Sequence, residues 1–239
     1  MTPPLPLVRT LKEFESACQK LKEHDHTYRR LYRGQGEQKS LLPSLFRKLE
    51  NQVDQIKSIE ACTLELLKKT VPPSTPQRPK NDWDWLSFGQ HFRLPTRLLD
   101  WSSEQLIALY FAVEGTGGSP TVYVYDAQKE QIVNDETKST SPANIQLTKI
   151  MKPAVHSAWV SFQRGWHSVH RLHPNSGGEI VIPLDRMKWH DGRTSIISID
   201  PSSASKIKQE LHAKGFHHVN VYGDFEELCK GISKRCGLK

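Results

Sequence analysis

The segment Leu106–Val113 is apolar around nearly the whole circumference of a helix, with Leu106, Ile107, Leu109, Tyr110 and Phe111 leaving no polar face to turn toward water. A helix of that kind has to be covered on all sides, so the chain must be built around it. Ser102 or Ser103 stands ready to cap it. After the break Gly115–Ser119, the alternation in TVYVYD (Thr121–Asp126) predicts a strand, central or edge in a sheet.

The other elements fall around this pair. Leu11, Phe14, Cys18 and Leu21 share one helical face, and Thr10 with Glu13 forms a capping-box pattern, which predicts a helix over Leu11–His24. Tyr28–Arg33 suits a strand that Gly34 and Gly36 interrupt. A second helix runs over Val53–Lys69 and stops at the proline-laden loop Val71–Pro79. Trp83, Trp85, Leu86 and Phe88 make Asp82–His91 a short buried helix, whereas Asp126–Pro153 is polar and reads as loop or weak helix. A mixed element over Trp159–His170 precedes strands at Glu179–Pro183 and Ser195–Asp200. Next come a helix over Pro201–Lys214 with Gly215 as its stop, a strand at His218–Tyr222 and a final helix over Asp224–Lys234 capped by Asp224. Helices and short strands interleave irregularly, so the expected fold is α+β rather than doubly wound. The 239 residues are read as one domain, with a helical lead-in over 1–30, a core over 31–235 and a mixed, mostly antiparallel sheet flanked by helices.

No run of about 18 apolar residues occurs, which argues against a membrane span. MTPPLPLVRT lacks the charged start and apolar core of a signal peptide. Cys18, Cys62, Cys229 and Cys236 sit singly, without metal or redox spacing, and are expected to be free thiols of a cytoplasmic protein. The formal charge of +7 suits a polyanionic partner as well as a solvated basic surface.

Chemistry concentrates in three places. In LYRGQG (Leu31–Gly36), Arg33 before Gly34 offers a guanidinium fork beside backbone amides, apt for a phosphate or carboxylate. In FGQHFRLPTRLLDW (Phe88–Trp101), Gln90, His91, Thr96, Arg97 and Asp100 lie between two apolar helices, where buried polar groups must find partners. Two readings stand side by side there. Either Arg97 and Asp100 pair to brace a bend fixed by Pro95, or Arg97 and His91 face a ligand while Asp100 orients one of them. In WVSFQRGWHSVH (Trp159–His170), Gln163, Arg164, His167 and His170 alternate with aromatic rings suited to core packing or to stacking on a base. Phosphate-loop, dinucleotide, HExxH and GxSxG motifs are absent, and no histidine pair has carboxylate company at metal-ligand spacing, so no metal is expected.

Together these places resemble one family. Tyr32-Arg33-Gly34-Gln35 and Leu42-Pro43-Ser44-Leu45-Phe46-Arg47 resemble the start of the FRG domain, named for its Phe-Arg-Gly signature. Gln90-His91, Leu94-Pro95-Thr96-Arg97-Leu98-Leu99-Asp100-Trp101 and Ala108–Ala112 are similar to its central block, and Gln163, Gly165 and Trp166 to a later Gln-x-Gly-aromatic element. Val219–Gly231 resembles the C-terminal Phe-Pro-Asp-Leu-Asp-Gly region. The chain departs from the pattern at Tyr32, at Phe92-Arg93, where a smaller residue and glycine are common, and at Tyr222-Gly223-Asp224.

The resemblance implies an ADP-ribosyltransferase-like fold acting on NAD, in bacterial or phage defence or as a toxin. Arg33, with Gly34 beside it, would clamp the pyrophosphate, while Thr96 and Arg97 would hold the nicotinamide ribose or a phosphate. Gln90, His91 and Gln163 would line the pocket. Displacing nicotinamide needs an acid to steady developing positive charge. Asp100 is the first choice for that acid, with Glu179 and Asp224 as the others and His91 as a further catalytic group. The implied acceptor is nucleic acid or protein, with a neutralising antitoxin as a further partner. The alternative is a non-catalytic nucleic-acid or nucleotide-binding module, whose affinity would fall steeply with salt. A nuclease ranks low because no carboxylate cluster suits a metal.

Overall fold

Helix α5 (Gln105–Glu114) occupies the centre that its apolar circumference requires, with Ile107, Ala108, Leu109, Tyr110 and Ala112 all buried. The computed structural model describes residues 7–49, 55–115, 118–153, 158–175, 178–180, 182–187 and 193–222. Glu104 caps α5 through its side chain, in place of the expected serine, while the Ser102 hydroxyl accepts from the Glu104 amide. Strand β1 (Thr27–Gln35) runs directly beneath the helix. The approach is so close that a Cβ on Gly34 would stand 1.7 Å from the Ala108 carbonyl oxygen. Gly34 is therefore demanded by helix–strand packing, and no larger residue fits.

The chain order gives α1 (Leu11–Lys20), β1, α2 (Ser44–Lys48), α3 (Ile56–Thr70), α4 (Asp82–His91), β2 (Leu98–Ser102), α5 and β3 (Thr121–Gln128). There follow α6 (Asp135–Lys138), β4 (Lys149–Met151), α7 (Ala158–Gln163), β5 (Gly165–Val169), β6 (His173–Asn175), β7 (Gly178–Ile180), β8 (Thr194–Ser198), α8 (Ala204–Ala213) and α9 (His218–Tyr222). Six strands form one sheet in the order β4-β5-β2-β1-β3-β8, and all its neighbouring pairs are antiparallel. Parallel pairing among the described residues is confined to the isolated bridges Val8↔Ile199 and Ile132↔Ile150. The α+β expectation is met, with antiparallel pairing throughout the strands themselves.

Alternation along the strands sorts the core. Val122 and Val124 of β3 join α1, α5 and α8, whereas Tyr123 and Tyr125 meet Leu31, Leu99 and Trp101 on the opposite side. Leu98 and Val169 pack with Trp83, Trp85 and Leu86 of α4 and Leu64 of α3. Thus β2 is covered on both faces and presents consecutive apolar residues instead of an alternating pattern.

Arg97, just before β2, is fully buried. Its guanidinium meets both carboxylate oxygens of Glu60 in α3, with Nε donating to Oε1 at 2.7 Å. The Arg97–Asp100 pair, one of the two readings of this block, does not form. Glu60 stands one helical turn from both Ile56 and Leu64 on the buried stripe of α3, so it reaches Arg97 first.

Several boundaries differ from expectation. His218–Tyr222 is helical, not a strand: Val221 is buried against the α1–α5–α8 cluster, and His218 stacks on Tyr222 at 4.5 Å, one turn apart. Here tertiary packing overrides β-branched propensity. Of the predicted strand Glu179–Pro183, Glu179 and Ile180 belong to β7, which pairs with β6 outside the main sheet, and Ile182 and Pro183 lie in no strand. The polar stretch after Asp126 holds a short helix, α6, and the strand β4. Pro201–Lys214 divides into a 3-10 turn (Pro201–Ser203) and α8, with Gly215 at φ 89 as the stop. The helix predicted over Asp224–Lys234, with Cys229 and Cys236, lies outside the described residues. Cys18 and Cys62 are free thiols. Among the described residues no helix is long and apolar enough to cross a membrane.

Removing one partner of a buried ion pair strands the other, at a cost of about 3–5 kcal/mol. Glu60→Ala is therefore expected to lower unfolding stability by that order, and Arg97→Ala similarly, as read by urea denaturation. An unchanged midpoint for either variant would show that the pair does not hold α3 to β2.

Candidate functional site

Strands β1 and β2 pair at one register position, Tyr32↔Ser102. Beyond it the Asp100 carbonyl accepts from the Arg33 guanidinium instead, Nη1 donating at 2.6 Å. Burial pushes the Arg33 pKa down, the Asp100 charge pulls it up, and the nearby Arg47 of α2 lowers it again. The Arg33 Nε is buried without a hydrogen-bond partner. The cation thus donates to a neutral carbonyl and forms no direct salt bridge among the described residues, so its charge is only partly compensated.

Asp100 lies on β2 directly opposite His167 on β5. Its Oδ1 is 3.3 Å from His167 Nε2, and its side chain keeps 61% of its exposure while that of His167 keeps 8%. Gln90, near the C-terminus of α4, donates Nε2 to both carboxylate oxygens at 3.2 and 3.1 Å. The Gln90 oxygen in turn accepts from the Thr96 hydroxyl at 2.6 Å. Desolvation raises the Asp100 pKa, but the hydrogen bond and charge of His167, the charge of Arg33 and the Gln90 bond more than offset it. The carboxyl group is held below its ordinary value and stays ionised at neutral pH.

His91 is half-buried at the end of α4, close enough to His167 for the two charges to oppose each other. Burial, then the His167 charge, pushes its pKa below 6.5 and favours the neutral imidazole at pH 7. The α2 segment joins the site through the Leu45 amide, which donates to the Thr96 carbonyl at 3.2 Å. It carries Arg47, whose guanidinium also donates to the Leu42 carbonyl.

The structure therefore brings Arg33, Gln90, His91, Thr96 and Asp100 together and separates the remaining candidates. Thr96 is buried and holds Gln90, which holds Asp100, so these two position the carboxylate. Arg97 is turned to Glu60, and Gly34 lies under α5. The Gln163 amide donates to the Val221 carbonyl at 2.6 Å, fastening α7 to α9. Glu179 sits on the β6–β7 hairpin and Asp224 outside the described residues. In the third patch, Trp166 is covered by Arg29 at 5.3 Å and Lys152 at 5.5 Å, while His170 is buried on Ser168 in a core network that includes Trp101.

Two participants escaped sequence reasoning. His167 was visible only as a member of an aromatic patch, because its partnership with Asp100 depends on strand register. Glu60 left a clearer trace, an acid on an apolar helical stripe that has to find a cation.

Helix α4 ends in a Schellman arrangement, with the Leu94 amide bonded to the Gly89 carbonyl and the Arg93 amide to that of Gln90. The residue at its left-handed position is Arg93, at φ 65, where glycine is ordinarily found. Phe92 beside it is 64% exposed.

Residues 28–119 match the FRG domain family model, which spans Arg33, Arg47, Gln90, His91, Thr96 and Asp100 and stops short of His167. No curated protein and no solved structure matches the chain.

Two stability tests follow. Left-handed backbone costs an L-residue about 1–2 kcal/mol, partly offset by glycine's unfolded entropy, so Arg93→Gly should stabilise the fold by up to about 1 kcal/mol. A lower melting temperature for this variant would contradict the strain. The second test concerns pH. His91, His173 and His212 all have pKa values held below 6.5, burial being the largest cause in each. The unfolded chain then takes up protons that the folded chain resists, so their contribution is full above 6.5 and lost as pH falls below it. Melting at about pH 5.5 should occur below that at about pH 7.5, and His91→Gln should narrow the gap.

Proposed function

As the chain carries an FRG domain over residues 28–119, we propose that the Arg33–Asp100 site binds NAD and transfers its ADP-ribosyl group to a macromolecular acceptor. The observation that carries this reading is that an incompletely compensated guanidinium bonds the backbone carbonyl of Asp100, whose own carboxylate is exposed and ionised, with each charge felt by the other. A diphosphate supplies the counter-charge that Arg33 lacks, with Arg47 adding a second cation on the same side. Asp100, fixed from behind by Gln90 and His167, is suited to steady positive charge at the ribose carbon as the bond to nicotinamide breaks. The bonding electrons leave with neutral nicotinamide. The acceptor's nucleophile forms the new bond to the ribose carbon and gives up its proton, which neutral His91 is suited to take.

A second reading is favoured by one observation: both oxygens of Asp100 already accept from Gln90. On that reading the site binds a nucleotide without turning it over, and Asp100 recognises rather than reacts. An ADP-ribosyltransferase-like fold, a toxin or defence role and a neutralising partner belong to the first reading and fall with it.

Incubation of the purified protein with labelled NAD and a cell extract separates the two. Wild type is expected to release nicotinamide and label a macromolecule. Arg33→Ala should lose NAD affinity, and Asp100→Asn should retain NAD binding while transfer falls by roughly 10²–10³-fold. NAD binding without nicotinamide release would favour the second reading, and no NAD binding by a folded wild type would remove both for this ligand.

A further inference from the structure

Of the features left unused, the end of α4 is the most heavily constrained. Phe92 keeps 64% of its surface in water, yet its ring is wedged between two others, Phe88 at 4.8 Å and His91 at 4.9 Å. A single exposed ring is ordinary on a protein surface. This one is held in a fixed attitude and is bonded in sequence to His91, which itself neighbours His167, the imidazole that meets the Asp100 carboxylate. The next residue, Arg93, is exposed and keeps its side chain at φ 65, where glycine would be the easier choice. Backbone strain of this kind, retained beside a site, points to a use for the side chain that holds it. Helix α2 exposes Arg47, which lies near Arg33, and Lys48.

The geometry points to Phe92 and Arg93 as a platform for single-stranded nucleic acid, which, on the transferase reading above, is the acceptor. A rigid flat ring with a guanidinium one residue away matches an unstacked base and its adjoining phosphate. Arg47, near Arg33, and the adjacent Lys48 add exposed cations, and the net charge of +7 favours a polyanion over the length of the strand. A duplex offers the same phosphates but hides the faces of its bases. An acidic peptide offers charge without a ring to stack.

Fluorescence anisotropy tests this without NAD, using a labelled single-stranded pyrimidine 12-mer, the same sequence as a duplex, and an acidic peptide of similar charge. The full chain is expected to prefer the single strand. Phe92→Ala should weaken that binding on the order of tenfold, the usual loss for one stacked base. Arg93→Gly should weaken it several-fold and make the salt dependence shallower by about 0.7 in log–log slope. The glycine variant removes backbone strain, so loss of binding with an unchanged or higher melting temperature cannot be put down to misfolding. Equal binding by wild type and both variants, or preference for the peptide, overturns the platform. Oligonucleotide binding that responds to these substitutions in a protein that does not release nicotinamide sustains the platform while the transferase reading fails. Transfer of label by a protein that binds no single strand does the reverse.

Discussion

A guanidinium removed from water must carry its counter-charge with it, and the placement of Arg97 against Glu60 settles much of what surrounds it. The pair joins α3 to the residue that opens β2, and the Arg97 carbonyl accepts the His170 amide at the end of β5. One ion pair thereby registers a helix and two strands. Thr96, the preceding residue, is held with its hydroxyl toward Gln90 and its carbonyl toward α2. The charge that sequence would place in the site is instead the fixed point from which the site is hung.

From that point the polar groups run outward in order of exposure. Thr96 is buried, Gln90 is half-buried, and Asp100 reaches water with its lone pairs already directed by the groups behind it. Such a chain lowers the cost of holding a carboxylate still, because each donor is itself held. Arg33 is the contrasting case. Burial depresses its pKa, and its hydrogen-bond partner is a neutral carbonyl. A cation left in that condition is stabilised by any anion that reaches it.

Much of the architecture was legible in the sequence wherever burial imposed a period. Helix α4 begins and ends where its tryptophans predict, and β3 carries TVYVYD into the sheet between β1 and β8. Strand β2 was not legible, because Leu98 and Leu99 face opposite cores and erase the period-two signal. Helix α9 was misread since HVNVY has strand propensity, and only its packing against α5 and α7 makes it helical. At the site, residue types singled out the right neighbourhood but not the pairings. Arg97 and Asp100, three residues apart, invited a local ion pair, and each found a distant partner instead.

Those distant partners show how far the site depends on strand register. Asp100 belongs to the FRG-matched segment and His167 does not, so the pairing exists only because β2 and β5 align Asp100↔His167. A slip of one residue would bring Trp166 or Ser168 opposite the carboxylate and turn the imidazole to the other face of the sheet. Leu98↔Val169 and Trp101↔Trp166 guard against it, since the same slip would drive side chains that now fill one core into the other, where they do not fit. Hydrophobic sorting of the two faces, a matter of packing alone, is therefore also what aligns the acid with its imidazole.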